Sequence, residues 1–404
     1  MTDSQPQTPD FNWRSLVIPV YGPPLLAFIG FGAATPLIVL SALELGAAVE
    51  MAALIAGLAA VGTLAGDLPA SWIATRLGEK RAIIAACVWD AAALLLAFLA
   101  KDLLLLSVAV FAIGISGAVF GLARQSYLTQ VVPLRYRARA MSTLGGVLRI
   151  GQFIGPVIGA PIVAVAGLAA GYGFAAIMCA LAAAVAALLP DLPTESRESQ
   201  AAPRLSKVLF EHRRIFVTLG TGVMLLSATR AARQVILPLW CDNLGMDASA
   251  NLLIYAMSMG IDMSLFFLGG SIMDRFGRIW VAVPSMIVLG AGLVWLSFTD
   301  QVFTVAAAAI LLGLGNGIGS GLVMTLGSDL APALGRNQFL SGWRLMGDVG
   351  NTTAPLLIGA VTAFATLGIA AFSMGCLAWV SSAWLGYWVL RTPPVDLGQD
   401  PESD

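Results

Sequence analysis

Charge is scarce in this sequence. Only 11% of its 404 residues are Asp, Glu, Lys or Arg, where a domain surrounded by water carries about a quarter, so a soluble globule is excluded. Lys and Arg number 22 against 23 Asp and Glu, and without a basic excess there is no field to attract nucleic acid. The single histidine, His212, stands in a charged stretch and leaves little for a His-ligated metal. The four cysteines, Cys87, Cys179, Cys241 and Cys376, are scattered in or at the end of apolar runs, which is neither a disulfide framework nor a zinc spacing. Long hydrophilic stretches are missing too: the longest is 190–214, a Pro-, Ser- and charge-rich linker too short to be a domain. The opening MTDSQPQTPDFNW is polar and acidic; it lacks the basic start of a cleavable signal and reads as a cytoplasmic tail.

What fills the chain is apolar. Hydrophobic residues make up 58% and the mean hydropathy is +0.86. Apolar runs divide into twelve expected spans: 16–43, 51–72, 82–100, 103–130, 141–166, 171–189, 215–240, 248–272, 279–298, 302–328, 340–365 and 368–390. Each is long enough to cross a bilayer as a helix. The expected object is an all-α membrane protein with a tail at 1–15, a six-helix bundle at 16–189, the linker at 190–214, a second bundle at 215–390 and a tail at 391–404. With the first residue inside, 16 of the 22 Lys and Arg fall on the cytoplasmic side, only Lys101 falls opposite, and five lie within spans. That asymmetry predicts that both termini are cytoplasmic. The Ala- and Gly-rich composition and short loops suggest a bacterial inner membrane. Trp13, Trp240 and Trp280, near span ends, read as interfacial anchors.

The two halves repeat. Arg76 and Arg275, Gly78 and Gly277, Pro133 and Pro332, Arg137 and Arg336, Gly151 and Gly350, and Pro156 and Pro355 all stand 199 residues apart. One offset held across loops and spans indicates two copies of a six-helix unit in the same orientation, an arrangement that transporters build around a midplane site.

The loop between spans 8 and 9 reads Gly270-Ser-Ile-Met-Asp274-Arg275-Phe-Gly277-Arg278. It resembles motif A, G-x-x-x-D-R-x-G-R, of the major facilitator superfamily. One glycine is expected to allow close packing and another a turn, with the acid and the arginines tying helix ends together. The first-half copy keeps Arg76 and Gly78 but has Ser71 for the leading Gly, Thr75 for the Asp and Glu79 for the last Arg. Span 5 carries Gly151-Gln-Phe-Ile-Gly155-Pro156-Val-Ile-Gly159-Ala160. This resembles the later part of motif C of the family's drug exporters, with Ser142 where its leading Gly would stand. Small residues at this spacing also serve as a close-packing seam with a proline hinge. Span 4 has Val110 where the family's motif B places an arginine; Arg124 appears deeper instead.

Charges inside spans are costly unless paired or watered, so they single out functional positions. The acids are Asp67, Asp90, Asp262 and Asp348. In the resembled family spans 2 and 11 face each other across the halves, as do spans 5 and 8. That implies the pairs Asp67–Arg344 and Arg149–Asp262 closing the cytoplasmic side, with Asp348 at the repeat position of Arg149 and proton coupling through these carboxylates. Asp90 has no partner in this arrangement. Spans 1, 4, 7 and 10 line the family's cavity, which makes Arg124, Tyr127, Arg230, Arg233 and Asn316 the expected substrate contacts. Arg230 and Arg233 are three residues apart on one face, as are Arg124 and Tyr127; Arg233 can alternatively snorkel outward and Arg230 bond a carbonyl. The glycine run Gly313–Gly321 in span 10 has no strand before it, so it reads as close packing and not as a phosphate loop.

The expected function is secondary transport by two rocking bundles: export of a small organic molecule, a drug or metabolite, in exchange for protons. The arginines equally suit uptake or facilitated passage of an organic anion or carboxylate. The expected partners are the solute, protons and the lipid bilayer; no cofactor, metal or nucleic acid is expected, the state is monomeric, and no paired nucleophile and base suggests an enzyme.

Overall fold

The computed structural model describes residues 17–133, 136–190, 205–332 and 335–392. The two tails and most of the linker, with Trp13, lie outside these residues. Twelve membrane-length helices follow in chain order. They are α1 (Gly22–Glu44, entered through a wide turn at Val17–Tyr21), α2 (Val49–Leu77), α3 (Glu79–Phe98) and α4 (Leu103–Val131). A continuous segment Arg137–Ala187 turns at Gly167, whose φ is 81° and ψ 173°, into α5 (137–166) and α6 (168–187). After a short linker helix, Leu205–Glu211, come α7 (Arg213–Asn243), α8 (Ala248–Phe276), α9 (Ile279–Leu296) and α10 (Val302–Leu330). The chain finishes with α11 (Arg336–Phe364) and α12 (Leu367–Arg391).

Ten segments are apolar enough to cross a membrane by composition alone. Two effects account for the difference from twelve. The 49-residue Arg139–Ala187 is one of the ten yet holds two spans, and α11, which carries Arg336, Arg344 and Asp348, is too polar to qualify. Among the described residues there is no strand, as expected where every backbone group must be satisfied within its own segment.

Local chemistry sets the helix ends. Asp102 and Asp247 each accept a backbone N–H at 2.8 Å at the starts of α4 and α8, satisfying a donor with no intrahelical partner. Gly78 and Gly277 both adopt positive φ, 77° and 96°, turning the chain between α2 and α3 and between α8 and α9. Their equivalence is the sequence repeat expressed in backbone form.

Within each bundle the same contacts recur. At Gly151 of α5 a Cβ would meet Phe28 Cβ at 2.8 Å and Leu25 O at 2.9 Å. At Gly350 of α11 it would meet Met224 O and Ser227 Cβ, the latter at 3.0 Å. Those partners are again 199 residues on. The bundles meet along α2 with α11 and along α5 with α8, with α1 touching α7 between them. The four cysteines are free thiols.

Two local expectations change. Trp240 is not an interfacial anchor: it is buried, and its indole N–H donates to Thr299 Oγ1 at 2.8 Å, because Trp rings are drawn inside when the N–H finds a partner. Trp280 remains exposed. At Gly270, first residue of the motif A match, an added Cβ would meet no atom within 4 Å, whereas at its neighbour Gly269 one would run into the backbone of Ile318; the close approach belongs to Gly269.

Candidate functional site

A cavity of about 540 Å³ lies at mid-depth between the bundles, within the range of small-molecule sites. The helices α1, α4, α7 and α10 all contribute, joined by α2, α5, α8 and α11. Its wall is mixed: Phe28, Phe31 and Phe120 supply aromatic surface, Thr35, Thr63, Gln152, Gln234 and Asn351 supply neutral polar groups, and four arginines face two aspartates.

On the α5–α8 side, charge gathers around Asp262. Arg149 of α5 donates to its Oδ1, Asn316 of α10 to its Oδ2, and Arg233 of α7 lies 3.4 Å from Oδ2. Arg233 also donates to Ser258 Oγ at 3.0 Å. The Asp262 and Arg233 side chains are only 4% and 3% exposed. The expected pair Arg149–Asp262 is thus present, and Arg233, for which snorkelling was an alternative, turns inward to join it. The phenyl ring of Phe266 stacks 4.8 Å from the Arg149 guanidinium carbon.

Across the cavity, Arg344 of α11 reaches Asp67 of α2 at 3.1 Å and Asp348 of its own helix at 3.6 Å. This seam is wetter, with side-chain exposures of 42% for Arg344 and 26% for Asp67. Exposure falls to 17% at Asp348, closer to the cavity, so water reaches the group from the end where α1 begins and α12 finishes.

Arg124 and Arg230 differ from the other cavity arginines in having no acid partner. Arg230 donates to the carbonyl of Gly319 at 2.5 Å. That carbonyl is available because α10 is broken: its first arm ends at Ile318 and its second starts at Leu322, with Gly321 at φ 81°. The Nε of Arg230 is buried without a partner. Arg124 makes no hydrogen bond among the described residues, and its Nη1 is buried and unsatisfied. Its guanidinium carbon sits 4.9 Å from the ring of Phe28 and 5.3 Å from that of Phe120, a cation–π clamp that holds the fork in place.

Tyr127 does not line the cavity. It is buried one turn beyond Arg124, where its hydroxyl donates to the carbonyl of Pro190 at 3.1 Å, because the last turn of α4 passes the end of α6. Asn316 does line it, occupied with Asp262. Asp90 is fully buried in the first bundle, and neither carboxylate oxygen has a hydrogen-bond partner; it does not line the cavity. Among the described residues no cluster of His, Cys, Asp and Glu could hold a metal ion.

The motif residues hold helices together. Gly155 of α5 would place a Cβ 2.7 Å from Ala33 N, and Gly159 one at 3.2 Å from Ala33 Cβ, so the row with Pro156 forms a seam against α1. In the second bundle Arg278 grips Asp329 of α10 through Nε at 2.8 Å and Nη2 at 3.3 Å, and that carboxylate holds the guanidinium protonated beyond its ordinary range. The acid that pairs with the motif's last arginine is therefore Asp329, not Asp274. Arg275 and Arg76 lie over the neighbouring rings of Phe276 and Trp72. The first bundle contains the same contact in other chemistry: Glu79 and Gln130 occupy the positions 199 residues before Arg278 and Asp329. Gln130 donates to Glu79, and Ser126 Oγ does so at 3.0 Å. The degenerate copy of motif A has exchanged an ion pair for an amide–carboxylate bond in the same place.

Comparison with known proteins agrees with this architecture. The chain is similar in fold to a nucleoside transporter, NupG, at 13% identity, covering 91% of this chain and 98% of that one with a TM-score of 0.70. It is similar to a D-xylose-proton symporter at 15% identity, covering 91% and 97% with a TM-score of 0.70. An auto-inhibited POT family peptide transporter shares 14% identity over 94% and 98%, with a TM-score of 0.74. No curated protein matches the chain. The family model of the Major Facilitator Superfamily matches residues 25–355 and 267–404, nearly the whole length, and the chain is a member of the major facilitator superfamily and a transporter.

Proposed function

We propose that this transporter carries a small organic anion with an apolar or aromatic body, by alternating access driven by protons. The observation that carries the reading is the pair of arginines without acids. A buried donor left unsatisfied costs about 1–3 kcal/mol, and Arg124 Nη1 and Arg230 Nε are both in that condition at the cavity wall. A carboxylate or sulfonate would satisfy them with charge-assisted bonds, and the phenyl rings beside Arg124 would receive the apolar remainder. The lining itself counts four arginines against two aspartates, which disfavours a cation. Proton coupling is supported by the carboxylates in the cavity and at the seam, and the D-xylose-proton symporter is a proton-coupled protein of the same fold. The Lys and Arg asymmetry supports a cytoplasmic position for the end where α1 begins. Export was the direction expected from the glycine row of α5, which packs against α1.

The test uses three ligands of one shape and different charge: naphthalenesulfonate, its neutral sulfonamide, and a naphthyl trimethylammonium. A ligand that binds only the folded state stabilises it by about 2.7 kcal/mol at a hundredfold excess over Kd. The sulfonate is expected to raise the melting temperature of the purified protein most, and Arg124→Gln to remove that increment. Equal or greater stabilisation by the cation overturns the reading.

A further inference from the structure

The two carboxylate groups at the cavity have opposite charge balance. Asp262 is shared by two guanidiniums, Arg149 and Arg233, and by the Asn316 amide, so cations outnumber acids around it. Across the cavity the ratio is inverted. Asp67 and Asp348 share one cation, Arg344, so one carboxylate is in excess. That excess falls on Asp348. Its Oδ2 is 3.6 Å from Arg344 Nε, beyond hydrogen-bond range, and is buried with no hydrogen-bond partner. Asp348 also lines the cavity, whereas Asp67 does not.

The surroundings of Asp348 are few. Its own helix supplies Arg344 and α2 supplies Asp67. From α4 the nearest charge is Arg124, one turn from Gly121, where a Cβ would stand 3.8 Å from Arg344 Nη2. The turn of α7 packed on this part of α11 presents Met224 and Ser227, which do not titrate.

We propose that Asp348 takes up a proton together with the substrate anion, so that the chain runs as a proton–anion symporter. This rests on the anion reading above. An anion seated at Arg124 brings a negative charge beside Asp348, which lines the same cavity. That charge favours a proton on Asp348, and by linkage a proton there favours the anion equally. A cationic substrate would compete with the proton for the same acid and give exchange. The step balances simply: a proton from water forms an O–H bond at Asp348 Oδ2 as the anion binds. On the other side that bond breaks and the proton returns to water as the anion leaves.

The probe is naphthalenesulfonate, which stays ionised throughout and brings no proton of its own. Mixing it with the purified, weakly buffered full-length protein should raise the pH, by uptake of up to about half a proton per anion bound near the midpoint of the affinity change. Its affinity should be about tenfold tighter at about pH 5 than at about pH 8. In Asp348→Asn, which mimics the protonated acid, affinity should be pH-independent and as tight as the wild type in acid. In proteoliposomes that variant should keep sulfonate counterflow while an imposed pH gradient no longer drives accumulation; Asp348→Glu should retain it. Proton release on binding, binding without proton uptake, or gradient-driven accumulation in Asp348→Asn overturns the inference. Failure of the sulfonate to bind wild type at any pH instead overturns the anion reading beneath it.

Discussion

Replacing Asp262 by Asn keeps the shape of the side chain and removes one charge from a buried part of the cavity wall. Arg233, whose side chain is 3% exposed, lies 3.4 Å from the carboxylate. At an effective dielectric of about 20 that attraction amounts to about 5 kcal/mol before desolvation is counted. Removing one member of a buried pair costs about 3–5 kcal/mol, since the partner stays behind uncompensated, and here two guanidiniums are stranded, Arg233 and Arg149. The other seam sets the comparison. Asp67 and Arg344, at 3.1 Å, are 26% and 42% exposed, and pairs in that setting are worth about 0–1 kcal/mol. Asp262→Asn should therefore lower stability by about 3–5 kcal/mol and Asp67→Asn by no more than about 1 kcal/mol. Reversible denaturation of the purified protein, followed by tryptophan fluorescence, measures both. The double variant Asp262→Asn/Arg233→Met should be more stable than Asp262→Asn alone, because one stranded cation is gone. Equal losses for the two single variants would refute the assignment of burial as the deciding quantity.

Two further contrasts test the packing. Gly151→Ala would press a methyl against Phe28 Cβ at 2.8 Å and Leu25 O at 2.9 Å and should cost about 1–3 kcal/mol. Gly270→Ala meets nothing within 4 Å and should be neutral or stabilising by up to about 1 kcal/mol; folded yield and melting temperature distinguish them. Trp240→Phe gives up the bond to Thr299 and should cost about 1 kcal/mol, while Trp280→Phe, at an exposed position, should stay within about 0.5 kcal/mol in the same melts.

The fold is legible in the sequence because apolar runs and the 199-residue offset are properties of the chain itself. The pairs Asp67–Arg344 and Arg149–Asp262 are legible for a related reason: charges inside spans are few, each needs a partner, and the family arrangement says which spans face. Helical spacing reveals less about what stands opposite. It puts Arg233 on the face of Arg230 and Tyr127 on that of Arg124, but it does not show that Asp262 waits for the first or the Pro190 carbonyl for the second. Trp240 reads as an anchor by position, and only the approach of Thr299 from the end of α9 explains its burial. The Glu79–Gln130 contact could have been found by carrying the offset from Arg278 and Asp329, because both substitutions occur at matching places. The motif alone registers only a mismatch at Glu79.

The two seams between the bundles also bear on how the molecule moves. Along α5 and α8 one pair crosses between the bundles, Arg149 on the buried carboxylate of Asp262 that Arg233 and Asn316 hold from its own bundle; along α2 and α11 they are joined by one wet pair. Fastenings of such unequal strength do not release together. The geometry predicts a door hung on the α5–α8 edge, with Arg344 as the latch on the free edge. Spin labels across α2 and α11 should spread over a wider range of distances during turnover than labels across α5 and α8, and equal spreads would mean that the jamb moves as much as the door.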